Sequence, residues 1–418
     1  MRILIISQYF WPENFRINEL SEELKKEGHN ITVLTGYPNY PKGEIFKDFL
    51  NNKNKFNNYK GIKIIRIPIL ARKQGKLKLT LNYLSFLFNS IFIGYFKLYQ
   101  KKFDLIFTFQ VSPITIGITS AFFSSIKNCP SVFWVLDLWP DTLVALNIIK
   151  RKWQIKLFKF LVNWIYGKCD IILAQSKNLL KEIKKYPSVK ENTYYFPSWG
   201  DSNLFRKKVE PADEVSKSNK FTILFAGNIG EAQDFPNILN AVRELKSKKV
   251  KDFRIVVVGE GSKKEWLEKN VQKFELENYF EIHKGYKFER MPSFFLHADA
   301  LLVSLLNKEV FNITIPGKLQ FYLSSGIPII GMLCGEGAEV IRKSNSGYVC
   351  NSGEYIELSK IIIKISNMNK KQLEILGKNG KKYSRKEFLK SKLVKKLESI
   401  FIKAKNQRNI DKDKKLKI

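Results

Sequence analysis

Two carboxylates four residues apart are the side chains best suited to acid–base chemistry. Asp137 and Asp141 lie in the segment FWVLDLWPDTLVAL, in the loop that leaves the carboxyl end of a predicted strand. Carboxylates beside such a turn can bind a hydroxyl group and accept its proton. Local roles are the alternative, since Asp141 would also serve as a helix N-cap and Asp137 as the start of an Asx turn. The spacing alone leaves both interpretations open.

A lysine and several glycines suit a phosphate group. Lys318 is predicted at the start of a helix, directly after Pro316 and Gly317, where its ammonium group would meet a diphosphate as a point charge. The segment FAGNIGEAQDFPNIL is typical of a strand, a loop and a helix. The N–H groups between Gly227 and Gly230 would cradle a phosphate at that helix end.

Two later loops and one helix start add weaker candidates. Gly259 and Gly261, in VVVGEGSKKEWL, would let the backbone approach a flat ring closely. Gly285 and Tyr286, in HKGYKFERMP, would meet the edge of a base. The segment GEGAEVI then presents free N–H groups at a helix start beside Glu336.

The loop SQYFWPENFRINEL follows the first predicted strand and opens the first predicted helix, where an acceptor or a phosphate would lie. Asn14 and Arg16 are its polar candidates. The rings of Tyr9, Phe10 and Trp11 would either stack on a sugar or pack in the core. The loop lacks the Gly-x-Gly-x-x-Gly pattern of a dinucleotide site, which counts against an NAD-dependent enzyme.

Two successive series of strands and helices must position these residues. Apolar runs typical of covered parallel strands begin at Arg2–Ser7 and Asn30–Thr35, with the spacing of an amphipathic helix between them. The pattern restarts at Phe221–Gly227 after the polar stretch Glu210–Asn219. The sequence therefore predicts an α/β protein with two doubly wound domains facing across a cleft, and with ligands at the carboxyl ends of the strands.

We predict an N-terminal domain over 1–205, a C-terminal domain over 206–385, a basic helix over 386–405 that packs back on the N-terminal domain, and a disordered basic tail over 406–418.

Length and composition bound the possible functions. The chain has 418 residues, enough for two domains, and its 44% apolar residues can fill two cores, which excludes global disorder. The formal net charge of +33 points to an anionic partner, and an A/T-rich coding sequence that inflates lysine is the alternative. The cysteines are far apart in sequence, which argues against a disulfide framework and a structural zinc site.

Residues 79–96, LTLNYLSFLFNSIFIGYF, contain no charged side chain. Basic residues precede this stretch closely, namely Arg72, Lys73, Lys76 and Lys78. Three interpretations stay open: a helix buried against the sheet, a helix lying on an anionic membrane surface, and a spanning helix, which would break the domain in mid-sheet.

Taken in order, these segments resemble the retaining GT-B glycosyltransferases often called family four. The resemblance covers roughly residues 1–385 and is carried by SQYFWPE, LTGYPNYPKG, WVLDLWPD, FPSWGD, FAGNIGEAQ, and IPGKLQFYLSSGIPIIG followed by GEGAEVI. Within the family, the chain is similar to the branch that adds N-acetyl-L-fucosamine and related sugars in O-antigen and capsule assembly.

The resemblance implies an enzyme with two Rossmann-like domains. The C-terminal domain would bind a nucleotide-sugar, expected to be UDP-linked, and the N-terminal domain would bind a glycan linked to undecaprenyl diphosphate. Transfer would proceed with retention, without a metal or other cofactor, and basic side chains and helix dipoles would stabilise the leaving diphosphate. The resemblance further implies a cytoplasmic protein, peripheral on the inner face of the plasma membrane, with no nucleic-acid partner.

The chain departs from the family pattern at four positions. Two glutamates that many relatives carry eight residues apart are replaced by Ile313 and Phe321. The arginine and the lysine that relatives often use after the first strand of the C-terminal domain are replaced by Asn228 and Gln233. Lys318 and backbone amides are then the main anchors for an anion.

These departures decide which residues remain as candidates for catalysis and for binding of the donor and the acceptor. Asp137 is the catalytic candidate by elimination, because the one histidine of the first half, His29, precedes a strand and is predicted to be structural. Glu336 or Glu339 would take over a hydroxyl contact with the donor sugar. The catalytic candidates are Asp137 and Lys318, and the acceptor-site candidates are Trp11, Asn14, Arg16 and Asp141. The donor-site candidates are Gly227, Asn228, Gly230, Gln233, Gly259, Gly261, Gly285, Tyr286, Lys318, Glu336, Gly337 and Glu339.

Two other functions stay open. A sugar-nucleotide epimerase of the same fold needs histidines and carboxylates around the hexose, and His283 and His297 are predicted at a strand end and in a helix. A nucleic-acid-binding protein would explain the positive charge, but Lys and Arg are spread along the whole chain and no nucleic-acid-binding motif is present.

Overall fold

A computed structural model of the chain describes residues 1–41, 43–72, 75–145, 148–200, 204–206 and 208–416. The chain forms two compact units, Met1–Pro197 with Leu393–Ile418, and Ser198–Lys392. The division falls earlier than the predicted boundary at residue 205. Gly200 already pairs with Leu389 of the second unit, and its N–H donates to the carbonyl of Phe388 at 3.2 Å.

The first unit is built on one eight-stranded sheet. Its strands run in the order β3-β4-β2-β1-β5-β6-β7-β8, and all neighbours are parallel except β3 and β4. Strand β1 is typical: four of its five residues are buried, as expected for a parallel strand covered on both faces. The strands are β1 (Arg2–Ile6), β2 (Asn30–Gly36), β3 (Asn58–Tyr59), β4 (Ile62–Ile67), β5 (Leu105–Gln110), β6 (Ser131–Val135), β7 (Ile171–Ala174) and β8 (Thr193–Tyr195).

Helices connect these strands. The first helix buries the stripe Ile17, Leu20 and Leu24 and ends just before Gly28, whose φ of +85° lies in the left-handed region that glycine adopts without strain. The helices of this unit are α1 (Arg16–Lys26), α2 (Lys47–Asn51), α3 (Lys76–Leu98), α4 (Ile116–Ile126), α5 (Asp141–Ala145), α6 (Lys152–Lys168) and α7 (Lys177–Lys184).

The second unit has a six-stranded parallel sheet in the order β11-β10-β9-β12-β13-β14. Its strands are β9 (Phe221–Ala226), β10 (Phe253–Val258), β11 (Phe280–His283), β12 (Ala300–Ser304), β13 (Ile329–Met332) and β14 (Gly347–Cys350). The helices are α8 (Phe235–Ser247), α9 (Lys264–Lys273), α10 (Met291–Phe295), α11 (Glu309–Asn312), α12 (Gly317–Ser325), α13 (Gly335–Ser344), α14 (Tyr355–Ser366) and α15 (Lys370–Glu387).

Strand β9 lies at the centre of this second unit. Its residues alternate between two apolar clusters, Ile223 and Phe225 in one, Leu224 and Ala226 in the other. The chain leaves β9 towards β10 on one side and later returns to β12 on the other, so the strand order reverses at β9. Ligands bind open α/β sheets at such a point, outside the carboxyl ends of the strands.

The last helix, α16 (Lys390–Leu416), corrects the prediction of a disordered tail from residue 406. The helix packs on the first unit through Phe401, whose ring centroid lies 5.4 Å from that of Phe107. It continues beyond residue 405 to Leu416, and Arg408 in this part forms an ion pair with Asp170 at 3.4 Å.

Truncating Phe401 tests this packing. The side chain is fully buried, so Phe401→Ala should lower the free energy of unfolding by about 3–5 kcal/mol. Ile402→Ala is the matched control, because that side chain is 53% exposed and its loss should change stability little. Denaturant unfolding of both variants gives the comparison, and equal stabilities would contradict the packing of α16 on the first unit.

Candidate functional site

The second unit positions Lys318 at the end of β9. Tyr322, one helical turn after Lys318 on α12, donates its hydroxyl to the carbonyl of Ala226 at 3.1 Å and accepts the N–H of Ala226 at 2.9 Å. Residues four apart lie on the same face of a helix. The Tyr322 anchor therefore holds Lys318 beside Gly227, the first residue after the strand.

The amine of Lys318 is buried and has no hydrogen-bond partner among the described residues. Its Nζ lies 3.6 Å from the centre of the Phe225 ring. A Cβ added at Gly227 would lie 3.3 Å from that Nζ, so the amine sits directly against the glycine. Burial lowers the pKa of Lys318 to about 7. An anion at this point would supply the missing acceptor and favour the protonated amine.

Glycines keep the surrounding loops in contact. A Cβ at Gly259, after β10, would lie 1.9 Å from the carbonyl oxygen of Gly227, and one at Gly261 would lie 2.2 Å from that of Ile229. These approaches exclude any larger residue at either position. The loops after β9 and β10 therefore form one continuous backbone surface next to Lys318.

Asn228 and Gln233 shape the loop after β9. The side-chain carbonyl of Gln233 accepts the N–H of Gly230 at 3.0 Å and the side-chain amide of Asn228 at 3.4 Å. Ser304 at the end of β12 donates to the backbone carbonyl of Gln233. Both donor-site candidates thus have an internal role in holding the loop closed, in addition to any contact with a ligand.

The loop after β11 contains the next pair of candidates. The N–H of Gly285 donates to the Glu260 carboxylate at 3.0 Å. The Tyr286 ring packs 4.8 Å from Phe294, with the Arg290 guanidinium 5.4 Å from its centre. Tyr286 is thus held by contacts with a tilted aromatic ring and with a guanidinium group.

The candidates on α13 separate into buried and exposed ones. Glu336 is 7% exposed in the first turn of the helix, where a carboxylate is favoured by the helix dipole. A Cβ at Gly337 would lie 2.5 Å from Leu333, so this glycine allows close packing. Glu339 is exposed and pairs with Lys343 one turn later at 2.6 Å.

The two positions where relatives carry glutamates are apolar in structure as well as in sequence. Phe321 is 4% exposed, and its ring lies 4.5 Å from Phe288, 4.8 Å from Phe205 and 5.3 Å from Phe295. Ile313 is also buried. An aromatic cluster therefore stands where the family pattern places a carboxylate.

The first unit contains a cavity of about 560 Å³ at the carboxyl ends of its strands. Its polar groups include the Asp137 carboxyl, the Arg72 guanidinium and the Ser112 hydroxyl. Apolar and aromatic side chains form the remaining walls: Tyr9, Phe15, Tyr40, Leu79, Tyr83, Leu84, Val111, Pro113, Leu136, Trp139, Leu143, Ile148, Ile149 and Phe158. Such a cavity, with a few polar groups in apolar walls, is typical of a small-molecule site.

Asp137 is held in place by its own loop. Thr142 donates its hydroxyl to Oδ1 at 2.5 Å, and the Trp139 indole N–H donates to Oδ2 at 3.1 Å. Burial raises the pKa of Asp137 to about 6, against the opposing effect of these donors and of Ser112. A carboxyl with this pKa exchanges a proton near neutral pH.

Arg72 and Tyr83 are functional candidates that the sequence reasoning missed. Arg72 stands in the sequence only as one of the basic residues before residues 79–96, for which three interpretations were open. Its guanidinium lies 5.6 Å from the centre of the Tyr40 ring and lines the cavity. The Tyr83 ring lies 6.4 Å from Trp139 across the cavity wall. No sequence motif marks either residue, because α3 and the segment before it reach the cavity only through packing.

The acceptor-site candidates are not brought together. The Trp11 ring stacks between Phe56 and Tyr59, at 5.2 Å from each. Asn14 is exposed, and Arg16 lies 3.7 Å from Glu19. None of these three lines the Asp137 cavity.

Asp141 lines a different cavity from Asp137. Its neighbours there are Lys159, Asn163 and Tyr186. The turn at Trp139–Pro140 directs the two carboxylates apart, although they are only four residues apart in sequence.

Glu13 has a structural role that the sequence did not suggest. Its buried carboxylate accepts the N–H groups of Asn39 at 2.9 Å, Tyr40 at 2.8 Å and Phe10 at 3.3 Å. Burial raises its pKa to about 7. Glu13 thereby ties the loop after β1 to the loop after β2, and positions Tyr40 in the cavity wall.

A family model identifies the second unit. Residues 206–383 match the model described as Glycosyl transferases group 1. The match includes the loop after β9 and the whole of α12, which together form the Lys318 site.

Curated relatives are distant. The chain is 22% identical over 351 residues to the "Putative colanic acid biosynthesis glycosyl transferase WcaI" of Escherichia coli K12, covering 78% of this chain and 82% of that protein. It is 24% identical over 164 residues to the "N-acetylgalactosamine-N,N'-diacetylbacillosaminyl-diphospho-undecaprenol 4-alpha-N-acetylgalactosaminyltransferase" of Campylobacter jejuni. That second alignment covers 38% of this chain and 43% of that protein.

Solved structures share the fold over nearly the whole chain. The crystal structure of Anabaena Alr3699/HepE in complex with UDP and glucose matches with a TM-score of 0.67 at 14% identity, over 96% of this chain and 98% of that one. This match confirms the predicted fold class, an α/β fold with two Rossmann-like sheets of the GT-B type.

The raised pKa of Asp137 predicts a pH effect on stability. Because its pKa rises from the ordinary 3.8 to about 6 in the folded protein, ionisation disfavours the fold, and stability falls as pH rises through 6. Asp137→Asn cannot ionise, so its free energy of unfolding relative to wild type should increase by about 2–3 kcal/mol between pH 4 and pH 8.

Urea unfolding at both pH values measures this difference. Asp48→Asn, at an exposed aspartate of α2, is the matched control and should follow the wild-type profile. Parallel profiles for wild type and Asp137→Asn would refute the raised pKa.

Proposed function

We propose that this chain, a group 1 glycosyltransferase, transfers a sugar from a UDP-sugar to a lipid-linked glycan, with retention and without a metal ion. The glycosyltransferase class follows from the match of residues 206–383. The donor nucleotide, the acceptor and the stereochemistry are the proposal.

The observation that carries the proposal is the unpaired amine of Lys318. It lies beside Gly227 at the end of β9, where the strand order reverses and where α12 begins. A diphosphate there would accept from the amine and from the N–H groups of the loop after β9. Lys318 would thus stabilise the charge of the leaving diphosphate, the part that a metal ion plays in other transferases.

The acceptor fits the cavity of the first unit. Tyrosine rings at Tyr9, Tyr40 and Tyr83 offer flat surfaces for a sugar, and Asp137 offers an acceptor for its hydroxyl. The Campylobacter relative is named for an undecaprenol-linked acceptor, which supports a lipid-linked glycan here. An enzyme acting on such a carrier would work at the inner face of the plasma membrane.

Transfer would follow same-face attack. The acceptor oxygen bonds to the anomeric carbon while the bond from that carbon to the diphosphate breaks, and the leaving phosphate oxygen takes the hydroxyl proton. Asp137 positions the attacking hydroxyl, and Lys318 stabilises the diphosphate. The transferred sugar is an N-acetylated deoxyhexosamine such as N-acetyl-L-fucosamine, as the resemblance to that branch suggests.

The alternative of an epimerase is disfavoured by the histidines of the second unit. His283 pairs with Glu281 at 2.9 Å, and His297 bonds the carbonyl of Ala212 at 2.9 Å. Both side chains are committed to local structure. A sugar-nucleotide epimerase needs such groups facing the hexose.

Lys318 predicts a pH-dependent affinity for UDP. Since its pKa is lowered to about 7, the amine loses its proton above that pH, and its contribution to binding should fall by up to tenfold per pH unit. We expect wild type to bind UDP about 10–100-fold more tightly than Lys318→Met at pH 6, since a charge-assisted hydrogen bond is lost. The two affinities should converge at higher pH.

Calorimetric titration with UDP at pH 6, 7 and 8 measures the ratio of the wild-type affinity to the Lys318→Met affinity. Protonation of UDP itself changes both affinities equally, so it cancels in this ratio. Lys360→Met removes an exposed lysine paired with Glu357 and should match wild type. A constant ratio at every pH would exclude a titrating Lys318 from the site, and no UDP binding by wild type would overturn the proposed donor.

The role proposed for Asp137 predicts that its substitution slows turnover without weakening donor binding. Asp137→Asn should lower the turnover rate by about 100-fold, as for loss of a positioned catalytic group, while UDP affinity stays within twofold of wild type. The assay is a screen of UDP-sugars against membranes carrying lipid-linked intermediates, read as a mass increase of the carrier glycan. An unchanged rate together with weakened UDP binding would contradict this role.

A further inference from the structure

The first unit has a continuous layer of three helices over one face of its sheet. The Tyr95 ring of α3 packs 6.3 Å from Phe122 of α4. A Cβ at Gly117 of α4 would lie 2.2 Å from Ile165 of α6, so these two helices are in close contact. The order across the layer is therefore α3, α4 and α6.

Large apolar side chains cover the outer side of the two flanking helices. On α3 they recur at intervals of one or two turns: Leu77, Leu81, Phe88, Phe92 and Phe96, with exposures between 41% and 77%. On α6 they are Trp153, Leu157, Phe160 and Trp164, with exposures between 40% and 70%. We name this set the apolar face. Soluble monomers rarely leave so many large apolar side chains exposed together, and such patches mark interaction sites.

The charge of this layer has one sign. None of the three helices contains an Asp or a Glu. Lysines of α6 alternate with its exposed aromatics, at Lys152, Lys156, Lys159 and Lys168, and all four are exposed. The Lys168 amine lies 5.8 Å from the centre of the Trp164 ring. Aromatic and basic side chains interleaved in this way are typical of a helix in the interface of an anionic bilayer.

Helix α3 is long and apolar enough to span a membrane by composition, but its packing holds it on the sheet. Phe86 and Leu98 are fully buried. Polar side chains of α3 also form hydrogen bonds within the unit. Asn82 accepts the side-chain amide of Gln8 at 2.8 Å, and the hydroxyls of Ser90 and Thr119 lie 2.8 Å apart. These bonds favour a helix that lies along a membrane surface over one that crosses it.

We propose that the apolar face seats this unit on the surface of an anionic phospholipid bilayer, with the side chains of α3 and α6 in the interface and the lysines at the headgroups. The same two helices line the Asp137 cavity, through Thr80 and Tyr83 of α3 and Phe158 of α6. The cavity therefore opens beside the seated surface. Only this last step, access of a lipid carrier to the cavity, rests on the proposed function.

Vesicle binding tests the proposal with charge-matched variants of the full chain. Phe92→Glu/Phe160→Glu changes one exposed residue on each helix, neither of which lines the cavity. The control is Ile356→Glu/Ile375→Glu, with the same charge change at residues of the second unit that are 46% and 50% exposed. Co-flotation is measured with vesicles of phosphatidylcholine mixed with phosphatidylglycerol, whose anionic headgroup attracts basic segments, and with vesicles of phosphatidylcholine alone.

We expect wild type and control to float with the anionic vesicles, and the Phe92/Phe160 variant to lose at least tenfold in partition coefficient. Quenching of tryptophan fluorescence by brominated lipids should likewise fall in that variant. Equal flotation of both double variants would overturn the proposal, and so would absence of wild-type binding. Loss of a dimer in the Phe92/Phe160 variant, without vesicle binding by wild type, would assign the face to a second copy of the chain.

Folding of each variant is checked by UDP titration, which reports on the second unit, and by thermal unfolding. A variant that binds UDP normally but not vesicles supports the membrane surface. Failure of UDP binding in wild type, with vesicle binding intact, would instead refute the proposed donor and leave the surface standing.

Discussion

The second unit depends on holding one amine out of water without a hydrogen-bond acceptor. Burying such a group costs several kcal/mol. The two hydrogen bonds between Tyr322 and the backbone of Ala226 hold α12 in the position that imposes this burial. Gly227 leaves the space that Lys318 occupies. An anion beside Lys318 would supply the missing acceptor, which is why we propose this amine as a contact of the donor diphosphate.

The first unit uses buried charge in two different ways. Glu13 is satisfied by three backbone N–H groups and lies near the buried Arg66, which donates to the carbonyl of Gly36 at 3.1 Å. The three hydrogen bonds that Glu13 accepts all hold loops together. Asp137 accepts hydrogen bonds from side chains of its own loop, Thr142 and Trp139, and lines a cavity. Burial raises the pKa of both carboxyls, and only Asp137 of the two lines a cavity, where it can interact with a hydroxyl.

Residues placed by a strand–loop–helix pattern could be predicted, since the pattern itself fixes the strand end. Lys318 and Asp137 are of this kind, as is the α/β fold. Arg72 could not be found, because its place depends on how α3 packs over distant loops. The stacking of Trp11 between two rings was equally hidden, since β3 and β4 bring those rings together only in the folded sheet.

Helix α3 links the two surfaces that the first unit exposes to ligands. An α-helix with its side chains is about 10–12 Å across and rises about 1.5 Å per residue. Tyr83 on the cavity side and Phe88 on the outer side are therefore separated by about one helix width across the axis and about 7.5 Å along it. Asn82 bonds Gln8 in the loop after β1, and Ser90 bonds Thr119 of α4, so α3 is held within the first unit. A bilayer on the outer side would therefore fix the orientation of the cavity wall. On the proposed function, the mixed lining of the cavity has a physical reason: its apolar walls would face a carrier leaving the lipid, and Asp137 and Arg72 would meet the polar end of that carrier.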